Sequence, residues 1–457
     1  MLSEAFSKRM KALLGDGYQS FSAALEAPQV KGVRVNGLKC DVKEYSAKSL
    51  LDLTPISYTP EGFIVGCSDG IGNTPEHHAG MIYVQDPGAM ATVSAIDIDE
   101  DCSVCDLCAA PGGKSGQVAA KIKGGFLLSN EYVPKRAKIV VSNFERLGVR
   151  RAIVTSLDTA EIAKLYRDHF DLVIADVPCS GEGMFRKYDE ALTEWSEENV
   201  LGCAKRQVEI IRNAAKIVRP GGRIIYSTCT YSLEENEMVI DGFLSEYPDF
   251  TLLPVKKELR EKTADGITFD GAKSKDLHLA RRFYPHVAEG EGQFIAVLKR
   301  ADGERKKQTI LYNDASKKPT KDEEAAVAKF FKEALSKVPE GKLIKVGENL
   351  VFSEHGVAIP PKSVFSAGVL VGEMRGKVLV PSHQFFSAYG RLFKMQENLT
   401  RDDCRSALYL RGEEIEARDV KSCGFCAILY EGAPLGGGKM SGGIIKNHYP
   451  KGLRIKG

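Results

Sequence analysis

The sequence lacks several features, and each absence excludes a class of protein. No apolar run approaches the ~18 to 20 residues that a membrane-spanning helix needs. Residues 1–6 lack the charged-then-apolar pattern of a secretory signal. Internal repeats and long low-complexity tracts are also missing, which argues against a repeat architecture. We therefore expect no contact with a membrane.

A strong net charge is also missing, since 63 basic and 61 acidic residues leave only +2. The protein is therefore not a polycation, but its basic residues are unevenly distributed. Local basic patches suit a polyanion that meets particular faces, although solvated surface lysines and a linker would give the same pattern. The basic residues of the two patches are Lys299, Arg300, Arg305, Lys306, Lys307, Lys317, Lys318 and Lys321, and then Lys446, Lys451, Arg454 and Lys456.

The eleven cysteines do not suggest a disulfide framework, because their number is odd and several lie inside apolar strands. This usage favours a reducing compartment, so we expect a cytoplasmic protein. Cys102, Cys105 and Cys108 have a spacing found in metal sites. Alternation along a strand would scatter these thiols over both faces, and the pair Cys423 and Cys426 is far away in sequence. We therefore expect no bound metal.

The chain is long enough for several domains, and its patterning divides it into four parts. Residues 1–80 read as a small N-terminal α+β domain. Residues 81–300 alternate strands with helices, which predicts an α/β domain with a parallel, doubly wound sheet. Residues 301–385 read as a basic linker followed by a first C-terminal domain. Residues 386–457 read as a small β-rich domain.

A glycine-bearing turn follows the first strand of the α/β domain and precedes a helix. Such a turn offers backbone N–H groups to a polar or anionic ligand. It nearly matches a Walker phosphate loop, and Asp176 ends an apolar strand as a magnesium-binding aspartate would. A nucleotide hydrolase is therefore one interpretation. The turn consists of Cys108, Ala109, Ala110, Pro111, Gly112, Gly113 and Lys114.

Two residues argue against a triphosphate at this turn. Pro111 removes an N–H from the middle of the loop that would cradle phosphate. Glu131 ends the next strand, where an acidic residue binds ribose hydroxyls. The sheet edge therefore fits a nucleoside-bearing cofactor without a triphosphate.

Two cysteines follow two other strands of the same domain. Cys179 comes just after Asp176, and Cys229 ends the strand that begins after a Pro-Gly-Gly turn. Because ligands bind at the carboxyl edge of a parallel sheet, two thiols and a carboxylate should converge beside the cofactor turn. Ser232 and Glu235 have the spacing of a capping box, which predicts a helix start. Glu234, Glu235 and Glu237 are accordingly interpreted as capping and surface charges.

Three motifs together resemble one family. Residues 106–114 (DLCAAPGGK), 176–181 (DVPCSG) and 226–230 (YSTCT) are similar to the Sun (Fmu) family of RNA cytosine-5 methyltransferases. Residues 33–36 (VRVN) and 83–86 (YVQD) also resemble that family. The tail, at residues 432–439 and 446–454, resembles the PUA-like module of one bacterial branch, which acts on RNA of the small ribosomal subunit.

The resemblance implies a class I, Rossmann-like methyltransferase domain flanked by RNA-binding domains at residues 1–80 and 386–457. It implies S-adenosyl-L-methionine as cofactor, held by the turn at residues 108–114 and by Glu131, Arg136, Asp158 and Asp176. Cys229 would add to carbon 6 of cytosine, because carbon 5 is too weak a nucleophile unaided. Asp176 would neutralise charge near N3, and Cys179 would assist release of Cys229.

The implied substrate is 16S ribosomal RNA, free or in the 30S subunit, presented as an unstacked cytosine to a monomeric enzyme. Other readings stay open at this point. The same chemistry on tRNA fits the same motifs. A nucleotide hydrolase predicts magnesium-dependent nucleotide binding, and a non-catalytic RNA-binding assembly factor predicts cofactor binding without RNA methylation.

Overall fold

The structure is a computed structural model that describes residues 2–66, 69–304 and 311–455. Within these residues the chain forms one ten-stranded sheet and three smaller sheets. Arg305, Lys306 and Lys307 of the predicted linker, and Lys456 of the tail, lie outside the described residues.

The N-terminal region is a small α+β unit, as expected. Its elements are α1 (Glu4–Leu14), α2 (Tyr18–Glu26), β1 (Gly32–Val35), α3 (Val42–Lys48), β2 (Leu53–Pro55), β3 (Gly62–Val65), α4 (Pro75–His78), β4 (Ile82–Val84) and α5 (Pro87–Ser94). The sheet order is β2-β3-β1-β4, and all pairs are antiparallel. Since β4 lies beyond residue 80, this sheet continues past the predicted end of the first domain.

The central region carries the large sheet. Its elements are β5 (Ser103–Asp106), α6 (Gly113–Lys121), β6 (Phe126–Asn130), α7 (Pro134–Leu147), β7 (Ala152–Thr155), α8 (Thr159–Leu165), β8 (Phe170–Asp176), α9 (Asp189–Glu194), α10 (Glu197–Ile217), β9 (Val218–Thr228), α11 (Glu237–Glu246), β10 (Phe250–Leu253), α12 (Lys257–Arg260), β11 (Ala264–Asp265), β12 (Arg281–Phe283) and β13 (Gln293–Arg300). Strands β9-β8-β5-β6-β7 are parallel neighbours, as the strand–helix alternation predicts.

The sheet is not wholly parallel, which corrects the expectation from the alternation pattern. Strand β13 pairs antiparallel with β9, and β10, β11 and β12 extend that edge in antiparallel fashion. Strand alternation sends side chains into two core layers, so Cys102 lies in a different apolar cluster from Cys105. Within the described residues no helix is both long and apolar enough to cross a bilayer.

The C-terminal region contains two further sheets. Its elements are α13 (Lys321–Ala334), β14 (Lys342–Val346), β15 (Asn349–Ser353), β16 (Val364–Ala367), β17 (Val369–Arg375), β18 (Val378–Pro381), α14 (His383–Tyr389), β19 (Gln396–Leu399), α15 (Arg405–Arg411), β20 (Ile415–Glu416), β21 (Gly424–Tyr430), β22 (Ala433–Ser441) and β23 (Ile444–Asn447). The sheet orders are β14-β15-β17-β18 and β19-β21-β22-β23-β20. Strand β16 instead pairs with β7 of the large sheet, and α14 spans the predicted boundary at residue 385.

Candidate active site

The carboxyl ends of the parallel strands bring the predicted residues to one edge of the large sheet. The cofactor turn follows β5, Glu131 follows β6 and Asp158 follows β7. Asp176 is the last residue of β8, and Cys229 comes directly after β9. Because β8 lies between β5 and β9, the cofactor turn and the two cysteine loops are neighbours.

Asp106, the last residue of β5, stabilises the cofactor turn. This buried carboxylate accepts hydrogen bonds from the Ser115 hydroxyl at 2.6 Å and from the Cys108 N–H at 3.3 Å. Burial raises the pKa of Asp106 to about 7. Gly112 precedes α6 with a φ of +106°, a conformation that favours glycine. Since no side chain caps this helix, its first N–H groups remain available to a ligand.

Glu131 stands at the rim of the turn. Its carboxylate accepts from the Val133 N–H at 3.0 Å and from the Ala110 N–H at 3.4 Å. Arg136 lies 3.7 Å from this carboxylate and donates to the Ala110 carbonyl at 3.2 Å. Asp158 is exposed and caps α8 by accepting from the Ala160 N–H at 2.8 Å. A carboxylate, a guanidinium and an uncapped helix start therefore lie beside the same turn.

Arg34 also supports the turn, and sequence reasoning did not assign it this role. The fully buried guanidinium donates to the Gly113 carbonyl at 2.7 Å and to the Gln85 side chain, and it lies over the Tyr83 ring. Burial lowers the pKa of Arg34 to about 10. In the sequence, the only indication of this role was that residues 33–36 and 83–86 resemble motifs of the family. That resemblance did not show that Arg34 would contact the turn.

Lys114 points from the cofactor turn towards the cysteine loops. Its Nζ donates to Oδ2 of Asp176 at 2.8 Å, and the Ser227 hydroxyl donates to Oδ1 at 2.7 Å. Burial opposes the charge on Lys114, but the Asp176 carboxylate outweighs it and raises the pKa of the ammonium. The Asp176 side chain remains 28% exposed, so this ion pair is open to a ligand.

The two predicted thiols are in contact. Cys179 Sγ lies 3.2 Å from Cys229 Sγ and accepts a weak hydrogen bond from the Cys229 N–H at 3.4 Å. Both residues are partly exposed. The hydrogen bond with Cys229, together with burial, raises the pKa of the Cys179 thiol well above its ordinary value. The raised pKa favours the protonated form of the Cys179 thiol.

The prediction for the acidic turn after Cys229 is wrong in part. The following helix, α11, begins at Glu237 after Asn236, so Ser232 and Glu235 form no capping box. Glu235 and Glu237 are fully buried, which excludes the surface role expected for them. Glu237 pairs with buried Arg282, and Glu235 reaches the Cys179 loop instead. The capping-box prediction was wrong because donors distant in sequence bind the Glu235 carboxylate.

Other charged residues lie outside this cluster. Lys187, Lys205 and Arg206 are exposed, as surface residues would be. Across the described residues, no group of three or more His, Cys, Asp or Glu side chains is arranged to hold a metal ion. The ten cysteines of the described part are free thiols.

Three family models match this chain in succession. The N-terminal domain of 16S rRNA methyltransferase RsmF matches residues 2–87, and the 16S rRNA methyltransferase RsmB/F model matches residues 93–299. The PUA domain of methyltransferase RsmF matches residues 396–455.

Similar proteins and solved structures agree with these models. The chain is 30% identical to ribosomal RNA small subunit methyltransferase F of Vibrio campbellii, over 99% of this chain and 97% of that protein. The Klebsiella pneumoniae protein of the same name is also 30% identical, over 98% and 96%. A crystal structure of a methyltransferase homolog from Pyrococcus horikoshii is 29% identical with a TM-score of 0.58, and it covers 65% of this chain and 95% of its own. The chain therefore belongs to the family of ribosomal RNA small subunit methyltransferase F.

Proposed function

We propose that this protein forms 5-methylcytosine in 16S ribosomal RNA, with S-adenosylmethionine as methyl donor and Cys229 as nucleophile. The observation that carries the proposal is the contact of Cys229 Sγ with Cys179 Sγ at 3.2 Å, beside the Lys114–Asp176 ion pair. Family membership supports methylation of ribosomal RNA. The choice of carbon 5 of cytosine rests on the two thiols, because N- and O-methylation need no sulfur nucleophile.

The sheet edge fits S-adenosylmethionine. The uncapped start of α6 offers N–H groups to the carboxylate of the methionine part, and Gly112 lets the backbone approach closely. The Glu131 carboxylate retains lone pairs for ribose hydroxyls, since its two oxygens accept only from Val133 and Ala110. We assign the residues at 108–114, Arg136 and Asp158 to the rest of this site.

The chain's own residues account for activation of the base. Cys229 as thiolate adds to carbon 6, which makes carbon 5 electron-rich. The Lys114 ammonium is hydrogen-bonded to the Asp176 carboxylate, so its proton can pass through Asp176 and neutralise the negative charge developing near N3. S-Adenosylmethionine supplies the methyl group as an electrophile. After transfer, a base takes the proton from carbon 5, the bond between carbon 6 and sulfur breaks, and its electrons return to Cys229.

Cys179 is assigned to this last step. Its sulfur touches the sulfur that must leave, and its raised pKa favours the protonated thiol. A neutral thiol at this position can donate that proton to the departing Cys229 sulfur. Cys179 therefore assists release and does not start the reaction.

RNA binding is assigned to the flanking regions. The N-terminal sheet and the final five-stranded sheet share one apolar core, so these two regions pack together. We propose a cytoplasmic monomer that holds the RNA around an unstacked cytosine through these regions, as free 16S RNA or in the 30S subunit.

Methylation assays on defined RNAs test this proposal. Purified protein with S-adenosylmethionine is incubated with free 16S RNA, 30S subunits and total tRNA, and bisulfite sequencing then locates 5-methylcytosine. We expect modification at defined cytosines of 16S RNA. Modification of tRNA alone would contradict the proposed substrate. Methyl groups on a base atom other than carbon 5 would contradict the proposed reaction.

A further inference from the structure

Beneath the two thiols lies a pair of buried carboxylates that the reaction described above does not use. Glu235 follows Cys229 in sequence, and Glu182 follows Cys179. Glu235 is 0% exposed and Glu182 is 1% exposed. Each carboxylate reaches across to the other cysteine's loop, so the two loops are linked reciprocally.

Glu235 holds the loop of Cys179. Its carboxylate accepts from the Ser180 N–H at 2.9 Å and from the Ser180 hydroxyl. The Gln207 amide of α10 donates to the same carboxylate at 2.7 Å and to the Pro178 carbonyl at 3.0 Å. The residues on both sides of Cys179 are therefore tied to Glu235, directly or through Gln207.

Glu182 holds the loop of Cys229 in the same manner. Its carboxylate accepts from the Thr230 hydroxyl and the Tyr231 N–H, each at 2.8 Å, and from the Trp195 indole N–H at 2.9 Å. The Ser180 and Thr230 hydroxyls lie 2.9 Å apart where the two loops meet. The backbone on the far side of each thiol is thus fixed by an acid from the opposite loop.

Neutral groups donate every one of these hydrogen bonds, and no salt bridge to either acid is found in the part of the chain that the structure describes. Burial without a hydrogen-bonded cation is unfavourable for a carboxylate and raises the pKa of both Glu182 and Glu235, and neutral residues of similar size are often more stable at such positions. Carboxylates at both sites therefore point to a requirement other than stability. Two acceptor oxygens on one rigid group can hold several N–H and O–H donors at once, which an amide cannot do.

We propose that Glu182 and Glu235 are positioning residues that set the two thiols for separate steps: Glu182 places Cys229 for attack, and Glu235 places Cys179 for release. This inference rests on the proposed cysteine chemistry. It predicts opposite defects from two similar substitutions. E182Q should slow formation of the covalent RNA adduct, whereas E235Q should let the adduct form and accumulate.

The test measures single-turnover methyl transfer and the fraction of protein in a denaturant-resistant RNA adduct, for full-length protein with S-adenosylmethionine and 16S RNA. We expect E235Q to raise the ratio of adduct to released product about tenfold, and E182Q to lower the rate of adduct formation about tenfold, as loss of a charged hydrogen bond implies. E234Q is the matched control, because Glu234 binds Arg9 and Ser232 and takes no part in the contacts that Glu182 and Glu235 make with the cysteine loops. If E182Q and E235Q lost methyl transfer and adduct formation to the same extent, the inference would be overturned.

Two milder variants keep the test decisive if a glutamine variant does not fold. S180A removes one donor to Glu235, and T230V removes one donor to Glu182. S180A should raise the ratio of adduct to released product and T230V should slow adduct formation, each by a smaller factor than the glutamine variant. Equal shifts in the two variants would contradict the inference. C179A and C229A run beside them. If C229A still methylates RNA, the proposed cysteine chemistry is wrong. If C179A and C229A behave as proposed but the Glu182 and Glu235 variants do not shift the adduct ratio in opposite directions, only the positioning role is wrong.

Discussion

The cofactor side and the thiol side of this sheet edge are built differently. On the cofactor side, most contacts join residues close in sequence: Ser115 and Asp106 are 9 apart, and Ala110 and Glu131 are 21 apart, although Arg34 and Gly113 are 79 apart. On the thiol side, Cys179 and Cys229 are 50 apart, and Ser180 and Glu235 are 55 apart. One strand–turn–helix unit with its next strand can form most of the first side, whereas the second needs β8 and β9 paired in register.

The two sides also differ in charge. The cofactor side contains cations, since Arg34 and Arg136 both donate to carbonyls of the turn. The thiol side rests on Glu182 and Glu235, with neutral donors only. Lys114 is the one residue of the cofactor turn that reaches across, by its ion pair with Asp176. We therefore expect substitutions on one side to affect cofactor binding and on the other to affect covalent chemistry, with little exchange between them.

Replacement of Cys229 should give the largest effect. C229A removes the nucleophile, so methyl transfer to RNA should fall by at least about a thousandfold. Affinity for S-adenosylmethionine should stay within about twofold, because in the described part of the chain the Cys229 side chain is hydrogen-bonded to Cys179 and not to the cofactor turn. Transfer of labelled methyl groups and calorimetric titration of the cofactor measure the two quantities. A large loss of cofactor affinity would break the separation of the two sides.

Replacement of Cys179 should stop the reaction at a later stage. In C179A the nucleophile is intact, so the covalent RNA adduct should form and persist while multiple-turnover rate falls about a hundredfold. Denaturing gel electrophoresis with labelled RNA reveals the adduct. C203A serves as the control, since Cys203 lies in α10 and has Asn199 as its hydrogen-bond partner. If C179A lacked the adduct and C229A showed it, the two roles would be reversed.

Replacement of Arg34 should affect the cofactor side alone. R34M leaves the Gly113 carbonyl without its buried donor, which should loosen the turn and weaken S-adenosylmethionine binding about tenfold. The fraction of covalent adduct at saturating cofactor should not change. R151M is the control, because the Arg151 guanidinium donates to the Gly124 and Gly125 carbonyls and not to the turn. Equal losses of affinity in both variants would indicate general loosening instead.

Replacement of Asp106 should change the pH dependence of stability. The folded pKa of Asp106, about 7, lies above the ordinary value of about 3.9. Stability from this group is therefore fully present below pH ~4 and is lost as pH rises through 7, by at most about 1.4 kcal/mol per pH unit. D106N stays neutral, so its free energy of unfolding relative to wild type should increase over this range.

Denaturant unfolding of both proteins between pH 4 and 8 measures this difference. D99N is the control, because Asp99 is exposed and its variant should follow the wild-type curve at all pH values. A pH-independent difference between D106N and wild type would show that Asp106 is ionised throughout this range in the folded protein.

Much of the cofactor side could be predicted from the sequence. The turn at residues 108–114 and Glu131 are local patterns, and the structure places each at the expected strand end. The convergence of Cys179 and Cys229 was also predicted, because parallel strands direct their carboxyl ends to one edge. The assignment of these residues to catalysis and cofactor binding stays a prediction.

The sequence by itself determined which motifs end which strands, because hydrophobic periodicity and turn residues act over a few neighbouring positions. Only the tertiary structure decided that Glu235 is buried beneath Cys179, that Lys114 pairs with Asp176, and that antiparallel strands close the sheet at both edges. These features depend on which strands become neighbours. A carboxylate followed by an apolar helix looks the same in sequence whether it caps that helix or binds donors 55 positions away.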